Sequence, residues 1–267
     1  MQDKSALGRA LAMVRDLRER CPWDRAQTRE TIRPYLVEEV FELDHALAEG
    51  RPEAIREEVA DLLLHLGWQL VLGEELGEFT TDQVAADLER KMRRRHPHLF
   101  DLGPAERWED LKRQEQRRGL LDGLPPTLPS LLMASRLQQR AASVGFDWPD
   151  TQGPAAKVRE ELAEVEAAIE ADEMEERIST PSAPSGEPVP PRPPEPLIDE
   201  IGDLLFAVVN LARKALVDPS IALDRANSKF RGRFHQVEEL AQARGIAMTD
   251  AGLEVLDGLW QEVKKGG

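Results

Sequence analysis

The chain repeats itself at long range. At an offset of 122 residues, Leu36, Glu38, Glu39, Val40, Glu42, Leu43 and Leu47 fall on Val158, Glu160, Glu161, Leu162, Glu164, Val165 and Ile169. Apolar matches apolar, acid matches acid, and even Asp44 meets Glu166. Glu58-Val-Ala-Asp-Leu-Leu63 returns as Glu200-Ile-Gly-Asp-Leu-Leu205, Lys91 with Arg95 as Lys229 with Arg233, and Trp108 with Lys112 as Trp260 with Lys264. Cys21-Pro-Trp-Asp24 is loosely echoed by Gly145-Phe-Asp-Trp148. A repeat this long calls for two similar units, and 267 residues can bury two small cores. Leu124-Pro-Pro-Thr-Leu-Pro129 reads as the linker between them, dividing 1–123 from 124–267.

Each unit is expected to be helical. Aromatic residues make up only 5% of the chain, while Ala, Leu, Glu and Arg abound. Leu7, Leu11, Val14 and Leu17 mark an amphipathic helix over 5–19, which Pro22 cannot continue. A second helix runs from Thr31, read as its N-cap, to Glu49, with Pro34 in its first turn and Gly50 as its stop. A third runs from Pro52 to about Leu72. Its segment Leu62-Leu-Leu-His-Leu-Gly-Trp68 is apolar almost all round, as in a helix buried inside a bundle. A fourth spans Thr81 to Arg95 and is ended by Pro97, and the charged stretch 106–118 also reads as helical. The fold class is therefore all-α, two tandem helical bundle domains of four-helix type joined by a proline-containing linker. The second copy differs by an insertion at about 178–197, with eight prolines between Ser179 and Pro196. It reads as a disordered or polyproline II loop, and a surface insertion of this kind costs little closure entropy.

The acidic residues are placed in an unusual way on the second helix. Stepping about 100° per residue from Leu36, Glu38, Glu42 and Glu39 lie near about 200°, 240° and 300°. Leu36, Val40, Leu43 and Leu47 form an apolar stripe on one side of that arc, and Val37 and Phe41 flank the other. An ordinary solvated face has no second apolar edge. Asp44 does not fit this picture. With Glu58 and Asp61, and with Glu160, Glu161, Glu164, Glu200 and Asp203 in the repeat, each unit offers carboxylates from two helices. Hard cations such as Mg2+ or Mn2+ take oxygen ligands and keep several waters, so a few carboxylates suffice. Helix bundles build such sites from facing helices. No Glu-Glu-x-x-His or histidine-rich spacing is present, which argues against zinc or histidine-ligated di-iron. The pairs Lys91/Arg95 and Lys229/Arg233 supply phosphate-binding cations. Acid and base together point to a metal-bridged phosphate substrate.

Each feature also has a plainer reading. In a chain with 50 acidic residues, one Glu-Glu-x-x-Glu can be a solvated helix face; its duplication with matching bases is what argues against that. The basic cluster at 90–95 also suits a helix C-terminus. Trp108 and Trp260 also suit a core. His65 reads as a packed histidine, and His96 and His98 as cap residues. Asn210, a polar residue in an apolar run, either meets a ligand or satisfies a backbone group; the first copy has Trp68 there.

The formal charge of -15 argues against nonspecific nucleic-acid binding. The single Cys21 allows no intrachain disulfide. The charged N-terminal helix is no secretory signal, and no apolar run reaches the ~20 residues of a membrane span. The expectation is a cytoplasmic protein with neither nucleic acid nor membrane as a partner.

At these residues the chain resembles the MazG family of nucleoside triphosphate pyrophosphohydrolases. The matching segments are Cys21-Pro-Trp-Asp-Arg-Ala-Gln-Thr28, Glu38-Glu-Val-Phe-Glu42, Glu58-Val-Ala-Asp61, Arg94-Arg-His-Pro-His-Leu-Phe100, Gly145-Phe-Asp-Trp148 and Glu200-Ile-Gly-Asp-Leu-Leu-Phe206. They run through nearly the whole chain, in the tandem arrangement of two MazG domains. The resemblance implies two helical units and Mg2+-dependent cleavage of an NTP to NMP and pyrophosphate by water at the α-phosphorus. By that resemblance Glu38, Glu39, Glu42, Glu58 and Asp61 are metal ligands or water activators in the first copy. Glu160, Glu161, Glu164, Glu200 and Asp203 have those roles in the second. Among them Glu38, Glu39, Glu160 and Glu161 are the catalytic candidates. Lys91, Arg95, Lys229 and Arg233 resemble triphosphate contacts, and Trp260 with Lys264 residues that close over the nucleotide. The family's role of clearing noncanonical or excess nucleotides, and its assembly as dimers or larger homo-oligomers, come as further implications. A regulatory protein that binds nucleotide without turnover, and a narrower dUTPase-like or phosphoribosyl-ATP-type phosphohydrolase, are the competing expectations. The proline-rich insertion departs from the family's compact second domain.

Overall fold

The computed structural model describes residues 5–100, 103–104, 119–178 and 194–266, and among them it is helical with no strand. Contacts divide the chain into two compact units, Met1–Trp108 and Glu109–Gly267. The division lies upstream of the sequence boundary at 123/124. Arg140 shows why: its guanidinium donates to the carbonyls of Leu120 and Asp122, which ties the stretch before the linker to the second unit. Trp108, Lys112 and nearly all of the proline-rich insertion lie outside the described residues.

The first unit holds α1 (Ala6–Arg20), α2 (Pro22–Ala26), α3 (Arg29–Glu49), α4 (Pro52–Glu75) and α5 (Thr81–Arg95), followed by a 3-10 turn, Pro97–Leu99. Ser5 caps α1 by accepting from the Gly8 N–H at 3.0 Å. Pro22 ends α1 and at the same time opens α2, where its missing N–H is not needed. The start of α3 differs from the sequence expectation. Thr28, not Thr31, is the N-cap, and the two threonines bond reciprocally, each side chain accepting from the other's N–H. Pro34 consequently sits inside the helix rather than in its first turn. Gly50 closes α3 at φ 69°, a left-handed backbone that glycine adopts without strain. The chain then folds back, and α4 packs along α3.

Val14, Ile32, Trp68, Val71 and Leu72 form the core of this unit, with Leu11 and Leu64 against it. Gly67 lets α1 and α4 approach closely, since a Cβ there would stand 3.0 Å from Val14 Cγ2. Arg18 binds the assembly together. It donates to Glu75 on α4 and to the carbonyls of Asp24 and Gln27 beyond α1, and it lies 5.3 Å over the Trp68 ring. The expected core stripe of α3 is only partly covered. Val40 and Leu47 are 48% and 57% exposed, and Val37, Phe41 and Leu66 are exposed as well. The all-round apolar segment of α4 is thus buried on one side, not on both.

The second unit holds α6 (Ser130–Ala142), α7 (Gln152–Ile178), α8 (Glu195–Lys214), α9 (Pro219–Ala243) and α10 (Gly252–Gly266). The α7/α8 pair repeats α3/α4, and α6 packs on α8 as α1 does on α4. Asp147, in the loop between α6 and α7, is clasped by Arg213 and Lys214 at the end of α8. The Arg213 hydrogen bond holds its pKa down at about 2, and Lys214 adds to this. Trp148, next along the loop, lies over Gly153 at the start of α7, where a Cβ would stand 1.9 Å from its Cδ1. At the far end, Val237, Ala241 and Leu259 join α9 to α10, and Trp260 packs against them. Among the described residues no helix is long and apolar enough to cross a membrane.

Candidate functional site

The repeat places two carboxylate clusters, one on each long helix pair. Residues three and four apart share a helix face, so Glu39 with Glu42 points from α3 toward Glu58 and Asp61 on α4. One oxygen from each of Glu39, Glu58 and Asp61 lies within 4.8 Å of the others. Glu161, Glu200 and Asp203 meet the same limit in the second unit. Each set is all-oxygen and draws on two helices, the donor chemistry of a hard divalent cation.

Glu42 and Glu164 stand at the edge of these sets. Desolvation pushes the Glu39 carboxyl above its usual value, and Asp61, Glu42 and Glu58 push it further. Glu58 moves the same way, by desolvation and then by repulsion from Glu42, Glu57 and Asp61. Glu164 is raised chiefly by its hydrogen bond with Glu161. Glu38 stands outside the first set and lines a groove of about 470 Å3 with Phe41, Glu42 and Glu58. Glu160 stands outside the second set, held by Lys157.

The two clusters are not electrostatic copies. Lys157 Nζ lies 2.8 Å from Glu160 Oε1 and 2.5 Å from Glu161 Oε1. Its hydrogen bond lowers the Glu161 pKa, whereas the first cluster's Glu39 is raised. At the offset of the repeat, Lys157 corresponds to Tyr35. The first cluster instead has His65, whose Nε2 is 3.6 Å from Glu39 Oε1. Burial pushes the imidazole below its usual pKa, against the pull of Asp61. It is packed, as its sequence context suggests, but against the cluster. The sequence reading missed Lys157, although its i, i+3 and i, i+4 spacing to the two glutamates was visible.

The other candidates fall as follows. Lys91 and Arg95 are on α5, which packs against α4; Lys229 and Arg233 are on α9, which packs against α8 and α6. Lys91 and Lys229 are exposed, while Arg95 and Arg233 are half-buried. Trp260 is half-buried, with its ring 5.3 Å from that of Phe230 on α9, and Lys264 is exposed one turn further on. His96 is the C-cap of α5, with Nδ1 2.9 Å from the Met92 carbonyl, and His98 follows in the 3-10 turn. Asn210 is 9% exposed, and its Oδ1 accepts from Arg213 Nε at 3.0 Å and Nη2 at 2.8 Å.

Comparison with known proteins adds an independent line. Residues 27–100 match the MazG nucleotide pyrophosphohydrolase domain. The chain is 38% identical over 254 residues to the nucleoside triphosphate pyrophosphohydrolase/pyrophosphatase MazG of Thermotoga maritima, covering 93% of this chain and 91% of that protein. It is 38% identical over 269 residues to the nucleoside triphosphate pyrophosphohydrolase of Escherichia coli K12, covering 94% and 93%. It is 36% identical over 266 residues to the uncharacterized protein YabN of Bacillus subtilis, and there it spans 50% of the longer relative.

Proposed function

The chain belongs to the MazG family and is a nucleoside triphosphate pyrophosphohydrolase, and from that premise we propose that its paired carboxylate clusters are Mg2+-dependent hydrolytic centres. The reaction is NTP or dNTP plus water to NMP or dNMP plus pyrophosphate, a house-cleaning of the nucleotide pool. The observation that carries this reading is the recurrence of one carboxylate triad on two equivalent helix pairs.

Glu39, Glu58 and Asp61, and likewise Glu161, Glu200 and Asp203, hold Mg2+, with Mn2+ as a substitute; Glu42 and Glu164 complete each set. When bound, the cation neutralises phosphate charge and lowers the pKa of the attacking water. The water oxygen attacks the α-phosphorus, the bond to the bridging oxygen breaks, and pyrophosphate leaves. Glu38 and Glu160, beside the triads, orient that water and accept its proton. Lys91, Arg95, Lys229 and Arg233 bind the triphosphate oxygens. Trp260 and Lys264, next to the helix that carries Lys229 and Arg233, close over the nucleotide.

The uncovered apolar residues Val37, Val40, Phe41 and Leu66 favour a homodimer or larger assembly that buries α3 and α4. The nucleotide substrate pool supports a cytoplasmic location. The test is product analysis with each NTP and Mg2+ for wild type, Glu39→Gln, Glu161→Gln and the double variant. NMP with pyrophosphate is expected from wild type. Full turnover by the double variant would sink the metal-site reading.

A further inference from the structure

His65 is buried beside the first carboxylate cluster and adds no carboxylate to it. It follows Asp61 by one turn and Glu58 by two turns of α4, so the three share one helix face. The residue is 9% exposed, and its Nδ1 is buried with no hydrogen-bond partner among the described residues. Its Nε2 lies 3.6 Å from Glu39 Oε1. That separation is just longer than a hydrogen bond.

These contacts place the ring hydrogen. With hydrogen on Nδ1 alone, a buried donor has no acceptor, and the bare Nε2 faces a carboxylate oxygen, lone pair to lone pair. With hydrogen on Nε2, the ring presents a donor to Glu39 and buries only a bare lone pair. The imidazolium presents the same donor. The same contacts argue against His65 as a metal ligand. A ligating imidazole gives its other N–H to an acceptor, and Nδ1 has none among the described residues. The carboxylates of Glu39, Glu58 and Asp61 come together within 4.8 Å without it.

The repeat sharpens the assignment. Glu39 corresponds to Glu161, which takes its donor from Lys157. Lys157 has Tyr35 as its counterpart in the first copy, and His65 has Ala207 as its counterpart in the second. Each copy thus sets one nitrogen donor against the equivalent glutamate. In the second copy it comes from the same helix, and in the first from the facing helix.

We propose that His65 is the positioning residue of the first centre: it donates through Nε2–H to one oxygen of Glu39 and leaves the other oxygen turned to the cation. The proposal rests on the metal-dependent reading of that cluster and adds what aims its ligand. Glu42, Glu58 and Asp61 surround Glu39 with negative charge, so an outer donor is what keeps its carboxylate in one orientation. Loss of such outer partners typically costs about 10–100-fold in metal affinity.

The experiment is titration of the full chain with Mn2+, read by electron paramagnetic resonance, in a Glu161→Gln background that confines binding to the first cluster. His65→Leu removes the donor, while His65→Gln keeps an amide N–H at the place of Nε2. His65→Leu is expected to weaken Mn2+ binding about tenfold or more, and His65→Gln to stay within about threefold of the parent protein. A packing role alone would give the opposite order, because leucine suits an apolar neighbourhood better than a buried amide does. Equal affinity in the leucine variant and the parent protein would overturn the proposal, as would equal losses in both variants. Pulsed measurements on the bound Mn2+ are expected to show no directly coordinated nitrogen. A coordinated-nitrogen coupling that disappears in His65→Gln would make His65 a ligand and overturn the positioning role. Failure of the parent protein to bind Mn2+ at all would sink the metal-site reading, and this proposal with it.

Discussion

Lys157 and Glu161, 2.5 Å apart and four residues apart on α7, give the second acidic cluster an internal counter-ion that the first cluster lacks among the described residues. The ammonium occupies charge that an arriving cation would otherwise meet in full. Lys157→Met is expected to raise the Glu161 pKa and to tighten Mn2+ binding to the nucleotide-free protein severalfold. Titration of free Mn2+ by electron paramagnetic resonance reads this directly, and unchanged affinity would show that Lys157 does not compete with the cation.

The first cluster concentrates carboxylates whose pKa values are raised by burial and mutual repulsion. A bound cation relieves that repulsion and stabilises the fold by mass action, about 2.7 kcal/mol at a hundredfold excess over Kd. Thermal unfolding should therefore shift upward with Mg2+ in a saturable way, and chelation should abolish both the shift and turnover. Glu58→Gln should raise the metal-free melting temperature and shrink the Mg2+ response.

Glu74 ends α4 where α5 begins. It accepts from the Thr81 N–H at 3.0 Å, the Thr81 hydroxyl at 2.7 Å and Arg15 at 2.8 Å. These bonds, Thr81 foremost, hold its pKa at about 2, well below the usual 4.5 of a glutamate. A depressed carboxyl stabilises the fold above its unfolded pKa and loses that contribution as pH falls toward the folded value. Stability should drop between pH 4.5 and about 2 by on the order of 2 kcal/mol after solvent screening. Glu74→Gln should lower stability at pH 7 and flatten that acid limb in denaturant titrations; an unchanged pH profile would refute the assignment.

Phe41 is 59% exposed on the same helix as Val37, Val40 and Leu47. Light scattering is expected to give a multiple of the 30.0 kDa chain mass. Phe41→Glu should shift the population toward 30.0 kDa by placing a charge in the face that the assembly buries. A monomeric wild type would remove the assembly reading.

Much of this was legible because the decisive patterns are local. The spacing of Glu39 and Glu42, and the Glu58-Val-Ala-Asp61 string, fix helix faces without knowledge of the fold, but spacing alone did not separate Glu39 from Glu38, which stands outside the set. Thr81–Arg95 is bounded by a threonine cap and Pro97, and the structure starts and ends that helix at the same residues. The start of α3 was misread because Thr28 and Thr31 are both good caps, and Pro34 biased the choice toward the later one. The contact of His65 with Glu39 was not legible, since the two come from different helices. Which face of α3 stays uncovered depends on packing against other helices, which a helical wheel does not contain.

The position under Trp148 has a practical consequence for anyone mapping this enzyme by random mutagenesis. Gly153 carries no acid, base or donor, yet even alanine there would lift the indole off its seat. An unbiased screen for loss of function should recover this codon alongside the glutamates. Ranked by phenotype alone, a missing methyl group would be mistaken for chemistry.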